Sequence, residues 1–224
     1  MNVPAPKLIP ISLGFVKVFL LRGTDRHILV DSGVPGSADR IINALNAEGI
    51  APQNISLIIF THAHADHIGS AIELKARTGA PLALHHGDLA TLRQEKNAGP
   101  PPKRSFLMKL LATFGPKTPP PFQPDILIDA ELDLSPYGVQ ARAISTPGHS
   151  AGSISIVLPD GQLLIGDLLM GGFINSKKIG WPFIIEDKAQ LHRSLKALLD
   201  LHPTLLHTAH GGPFTPEQAQ KLLG

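Results

Sequence analysis

Residues 61 to 69 read Thr-His-Ala-His-Ala-Asp-His-Ile-Gly and follow directly on the apolar run Ile55-Ser56-Leu57-Ile58-Ile59-Phe60. Three histidines and one aspartate thus fall within six consecutive positions at the end of a strand-like segment. Packing gives no reason to concentrate imidazoles in one loop, whereas a divalent cation needs several convergent, deprotonatable nitrogen and oxygen donors. The chain must therefore fold so that strand ends meet in a common cleft. The apolar run shows almost no alternation, as expected of a strand with helices covering one face of its sheet and other structure covering the second.

The chain has 224 residues, 43% of them hydrophobic, which suffices for a full core in a single domain. There is no cysteine, so thiolate ligation, disulfides and a thiol nucleophile are excluded, and imidazole and carboxylate remain as the strong metal donors. A net charge of +2 gives no overall basic field, and nucleic acid is not expected as a partner. The first residues lack a basic stretch followed by an apolar core, and Phe15 to Leu21 is short and interrupted by Lys17. The expectation is a soluble, cytoplasmic protein with no membrane insertion. Nothing in the sequence specifies self-association.

Strands are expected from Leu8 to Leu21 and from His27 to Val30, around the turn at 22–26. A helix follows, with Ser37 as N-cap, Ile41, Ile42 and Leu45 on one face and Gly49 beyond its end. A second helix runs from Gly69 to Thr78, closed by Gly79, and Pro81 to His85 is another strand. In the second half, strands are expected at Val139 to Ser145, Ser153 to Leu158, Gln162 to Ile165 and Thr204 to Thr208. Helices are expected from Asp187 to Leu201 and from Thr215-Pro216 onward. Residues 97–124 differ in kind: they hold eight prolines and no acid. This stretch reads as an inserted lid with a short amphipathic helix. Its Lys103, Arg104, Phe106 and Met108 either admit an amphiphilic anion such as an acyl thioester, or merely solvate and dock a loop.

His62 and His64 lie two apart in extended chain, so both imidazoles can point toward one cation. Asp66 and His67 sit where the chain turns into a helix and are aimed differently, toward a second cation. Gly69 lets backbone pack close behind them. Three further donors stand alone, each at the end of an apolar strand beside glycine: His149 in Thr146-Pro147-Gly148-His149, Asp167 after Gly166, and His210 before Gly211-Gly212. Open α/β sheets present their ligand crevices at such strand ends. Asp31 either orients a ligand imidazole or only closes a turn. His27, His85, His86, His192, His202 and His207 are read as structural.

In this order, the HxHxDH motif, the TPGH histidine, the GD aspartate and the terminal HG histidine resemble the metallo-β-lactamase superfamily, over roughly Asp31 to Gly212. The resemblance implies an α/β fold, a four-layer αβ/βα sandwich of two similar halves with the metals in the cleft between the sheet edges. It also implies two divalent ions, zinc first and iron or manganese as alternatives. His62, His64 and His149 would hold one, Asp66, His67 and His210 the other, and Asp167 would bridge them. Such a pair lowers the pKa of a shared water from ~15.7 to ~7. Hydrolysis is the implied chemistry, with Asp66 as the candidate catalytic group passing a proton to the leaving group.

Departures from particular branches narrow the reading. The flavodiiron branch has glutamate where this chain has His64. Secreted β-lactamases carry a signal peptide and lack the bridging aspartate. Acyl-homoserine lactonases place a catalytic tyrosine after that aspartate, where Leu168, Leu169 and Met170 stand here. Persulfide dioxygenases, which use one iron, show a different stretch from Met170-Gly171-Gly172-Phe173-Ile174, and transfer-RNA nucleases add a long RNA-binding arm. The expected function is hydrolysis of an ester, thioester, lactone or amide bond of a small molecule, most similar to a short glyoxalase II-type thioesterase. Oxygen chemistry on one iron, and phosphodiesterase or β-lactamase activity on the same site, are the alternatives.

Overall fold

The computed structural model describes residues 6–93, 121–172 and 176–224. Six strands form the first sheet in sequence order: β1 (Lys7–Ser12), β2 (Lys17–Arg22), β3 (His27–Val30), β4 (Ile55–Ile59), β5 (Leu82–His85) and β6 (Ile126–Ile128). The first three pair antiparallel, and β3 through β6 pair parallel. The connections between the parallel strands carry the helices α1 (Ala38–Ala47), α2 (Ala65–Ile68), α3 (Ala71–Thr78) and α4 (Leu89–Leu92). The second sheet contains β7 (Glu131–Asp133), β8 (Arg142–Ser145), β9 (Ile154–Val157) and β10 (Gln162–Leu164). A short pair, β11 (Met170–Gly171) and β12 (Ile179–Gly180), precedes α5 (Lys188–Leu199). The last strand, β13 (Leu205–His207), pairs parallel with β10 to give the order β13-β10-β9-β8-β7, and α6 (Pro216–Leu223) follows.

Strand parity builds the layers. Along β2, Val18 and Leu20 enter the core under α1 and α3, while Phe19 and Leu21 enter a second core shared with the other sheet. Beyond its first residue β4 does the same, with Ile58 and Phe60 on one side and Leu57 and Ile59 on the other. In the second sheet Ile154, Ile156 and Leu164 face the first sheet, and Leu163 turns to a third core with Leu191, Leu195 and Leu198 of α5. Alternate residues of a strand point to opposite faces, so apolar residues on both parities bury both faces. Helices, sheet, sheet and helices thus stack in four layers, the αβ/βα sandwich expected from the sequence.

The segment from Leu8 to Leu21 is not one strand but a hairpin, β1 and β2, reversing at Gly14-Phe15. Ser12 pairs with Lys17, the Leu13 amide donates to the Val16 carbonyl at 2.9 Å, and Gly14 has φ of 105°. A two-residue loop with positive φ at its first position matches the twist of the strands it joins. Apolar residues on both sides mask that turn in the sequence, and Gly14 is its one signal. The short strands β6, β7, β11 and β12 also lack a hydrophobic pattern long enough to read. Caps were better specified: the Asp187 side chain accepts from Gln190 N, and Thr215 forms a capping box with Gln218. Ser37 precedes α1 without a side-chain cap, its own amide donating to Ser70 Oγ instead. The expected lid lies outside the described residues as far as residue 120; Phe122, just after, packs on Phe60 at 5.5 Å between ring centroids. Among the described residues no helix is long and apolar enough to cross a membrane.

Leu57 is fully buried between the two sheets. Leu57→Ala should cost about 2–5 kcal/mol, read as a lower urea midpoint with an unchanged slope.

Candidate metal centre

β4 ends at Ile59, and His64, with φ of −74° and ψ of 153°, is extended just before α2 begins at Ala65. His62 and His64 therefore project together, and His149, from the loop after β8, completes the group. Its Nε2 lies 3.1 Å from His62 Nε2 and 3.0 Å from His64 Nδ1. In the first turn of α2, Asp66 and His67 face His210, which follows the end of β13. Asp66 Oδ2 is 3.2 Å from His210 Nε2 and 3.9 Å from His67 Nε2. Asp167, after β10, stands between the groups: its Oδ2 is 3.8 Å from His149 Nε2 and 3.4 Å from His210 Nε2, and its Oδ1 is 3.7 Å from His67 Nε2. All seven donors expected from the sequence come together.

The donor set suits a cation. Ligands ~2.1 Å from a tetrahedral ion stand ~3.4 Å from one another, and the separations here run on either side of that edge length. Two buried atoms, His67 Nε2 and Asp167 Oδ1, have no hydrogen-bond partner. Leaving such an atom unsatisfied costs about 1–3 kcal/mol, and a cation shared by the two would supply what each lacks.

The opposite nitrogen of four rings is anchored. His149 Nδ1 donates to the Ile184 carbonyl at 2.8 Å, His210 Nδ1 to the Phe15 carbonyl at 2.9 Å, and His67 Nδ1 to Asp31 Oδ2 at 2.9 Å. His62 Nδ1 lies 3.2 Å from the Thr61 hydroxyl. A proton held on Nδ1 leaves Nε2 as the free lone pair, so these partners select the ligating tautomer. Asp31 does both of the things the sequence left open. It closes the turn after β3 with φ of 66°, and it orients His67 while accepting from the Thr61 amide at 2.7 Å.

A residue the sequence did not reveal is Asp88. Fully buried, it accepts from Ala63 N at 2.8 Å, in the backbone between His62 and His64. It also accepts from Ser150 Oγ at 2.9 Å and Gly152 N at 2.7 Å, just beyond His149. One carboxylate so ties together the two loops that carry the first donor group. Its only sequence signal is an aspartate beside glycine past a strand end, the same signal as Asp167; its partners lie 25 and more residues away. Gly69 is required for space: a Cβ there would lie 2.3 Å from Pro35 N. Of the remaining histidines, His85 and His86 stack on each other, His192 stacks on Trp181, and His207 bonds Gln162. Among the described residues, none of these belongs to a donor group.

Electrostatics divides the site. Burial pushes His62, His64 and His149 toward the neutral form, His149 to a pKa of about 4. These rings are ready to ligate. Burial would also favour neutral Asp66 and His210, but their mutual hydrogen bond and the neighbouring His67 and Asp167 prevail, holding Asp66 at about 2 and His210 at about 10. Burial likewise opposes charge on His67 and Asp167; the carboxylates Asp31, Asp167 and Asp66 raise His67, and His67 with His210 lowers Asp167. Without a cation the second group is an internal ion network.

Two outcomes follow from this geometry. Cation uptake by the second group must expel the protons of His67 and His210, so at pH 7 binding should release protons. Affinity should then rise with pH by up to about tenfold per unit for each proton displaced. Calorimetric titration in buffers of different ionisation enthalpy measures both, and a pH-independent affinity would contradict the assignment. Asp88→Ala should weaken cation binding about 10–100-fold, measured by competition with a chromogenic chelator, while Asp129→Ala, at an exposed position between β6 and β7, should leave it unchanged.

A family model of the metallo-β-lactamase superfamily matches residues 11–210. The probable metallo-hydrolase YflN of Bacillus subtilis (strain 168) is 27% identical over 201 residues, covering 84% of this chain and 76% of that protein. The hydroxyacylglutathione hydrolase of Acidiphilium cryptum (strain JF-5) is 30% identical over 177 residues, covering 79% of this chain and 57% of that protein. Among solved structures, TTHA1623 in a di-iron-bound form matches with a TM-score of 0.70 at 25% identity, covering 95% of this chain and 97% of that one. Layer order, donor order and these likenesses have one explanation: the chain belongs to the metallo-β-lactamase superfamily of metallo-hydrolases.

Proposed function

We propose that this protein is a dinuclear zinc hydrolase that cleaves a thioester or ester bond of a small molecule, in the manner of a short glyoxalase II-type thioesterase. The observation that carries this reading is the position of Asp167, whose oxygens lie within 4 Å of donors from both groups. His62, His64 and His149 would hold one ion, Asp66, His67 and His210 the other, with Asp167 between. A cation pair supplies acidified water at neutral pH and an electrophile for the carbonyl oxygen. The complete second donor group, Asp66, His67 and His210, supports a second ion beside the first. The likeness to a hydroxyacylglutathione hydrolase supports the thioester class, and the di-iron form of TTHA1623 makes iron the competing metal.

The chain's own residues then divide the work. Asp167 is nearly buried and only positions, whereas Asp66 is 24% exposed and faces the open side of the centre. With a pKa of about 2, Asp66 is ionised at neutral pH and can only accept a proton first. It takes one from the attacking water and delivers it to the departing group. A thiolate leaves with less need of that proton than an alkoxide, because thiols are the stronger acids.

Metal analysis should return two zinc per chain, and a panel of thioesters, esters, lactones, β-lactams and bis-p-nitrophenyl phosphate should show thioesters turned over fastest. One iron per chain, or a preference for the phosphodiester, would overturn the reading. His62→Ala should lose metal and activity together. At matched metal content, Asp66→Asn should lower kcat about 10²–10⁴-fold on oxygen esters and less on thioesters; an equal loss on both would remove Asp66 from proton transfer.

A further inference from the structure

His210 also lines a cavity of about 320 Å³ that opens between the β1–β2 hairpin and the loops after β10 and β13. Phe15, Lys17, Gly172, Ser176, Gly211 and Gly212 line it, and among the described residues no acidic side chain does. Lys17 is partly buried at the start of β2. Its amide donates to the Ala209 carbonyl at 2.9 Å, its ammonium donates to the Gly211 carbonyl, and its Nζ lies 5.7 Å from the Phe19 ring centre. Among the described residues no carboxylate pairs with it, although three other lysines of the chain are so paired. An ammonium has three donor hydrogens, and one carbonyl uses one of them. Taking a charge partly out of water without a counter-ion is costly, and an uncharged donor would tether Gly211 as well.

The geometry points to Lys17 as the anion-recognition residue of this cavity, which selects substrates whose acyl chain ends in a carboxylate. This inference rests on the hydrolase reading above and adds the substrate's charge to it. Phe15, 53% exposed, stacks on the His210 ring with an interplanar angle of 9°. It gives the cavity an apolar wall against the metal centre, so the fitting substrate is a short acyl chain ending in a carboxylate. The amides of Gly171, Gly172 and Gly212 already donate to the carbonyls of His210, Lys178 and Ser176, which leaves the ammonium as the charged donor for a carboxylate.

Two esters with the same leaving group test it: mono-p-nitrophenyl glutarate, which is anionic, and p-nitrophenyl butyrate, which is neutral. The zinc-loaded wild type should favour the glutarate ester in kcat/KM, and this preference should shrink as salt rises. Lys17→Gln keeps a donor for Gly211 but removes the charge. It should cut the preference at least tenfold, mainly through KM, and Lys17→Arg should keep it. A preference unchanged in Lys17→Gln would show that Lys17 only tethers the loop, and would overturn the inference. If the wild type turns over neither ester, the hydrolase reading fails separately. Glutarate titrated into the zinc-free protein then decides the inference by amide spectra. Shifts at Gly171, Gly211 and Gly212 that disappear in Lys17→Gln uphold it, and none in the wild type overturns it.

Discussion

The layer of apolar side chains between the two sheets is the constraint on which the rest depends. Phe19, Leu21, Leu57 and Ile59 from one sheet press on Ala143, Ile154, Ile156 and Leu164 from the other, and their volume sets the separation of the sheets. The seven donors divide across that layer: His62, His64, Asp66 and His67 follow β4, while His149, Asp167 and His210 follow strands of the second sheet. A geometry that tolerates errors of only a few tenths of an ångström is thus referred to packing well away from the donors. Backbone bonds fix the register at the rim. Ile154 N donates to the Thr61 carbonyl at 2.9 Å, and Lys17 N to the Ala209 carbonyl at 2.9 Å.

Buried carboxylates then refine what packing leaves coarse. Asp31 acts within the first sheet, holding Thr61 and His67, whereas Asp88 acts between the sheets, holding the backbone of Ala63 and Gly152 together with Ser150. An ionised carboxylate accepts several hydrogen bonds at once, and charge-assisted bonds resist displacement by water. Neutral serine or threonine could not serve three donors from two loops. The centre is therefore held by anions that never need to touch a metal.

The donors were legible in the sequence because their chemistry is rare and local: a cluster such as His62 to His67 has no bland explanation, and His149, Asp167 and His210 each follow an apolar strand beside glycine. The layers were legible for a similar reason, since β4 is apolar on both parities. What escaped was non-local. Asp88 gains its role from loops that meet it only in the folded chain, and Lys17 looked like an interruption in an apolar stretch rather than the wall of a cavity. The hairpin at Gly14-Phe15 escaped because periodicity cannot see a reversal that leaves hydrophobic residues on both arms. Ends of short strands such as β6 and β7 follow from pairing with neighbours, which three residues cannot announce by themselves.

The division of donors between two sheets has a consequence for endurance. A cation gripped by His62, His64 and His149 would act as a rivet across the seam, so its grip and the cohesion of the halves would be one thermodynamic quantity. Scarcity of metal would then cost cohesion and turnover together. The protein's lifetime would follow the metal supply of its surroundings.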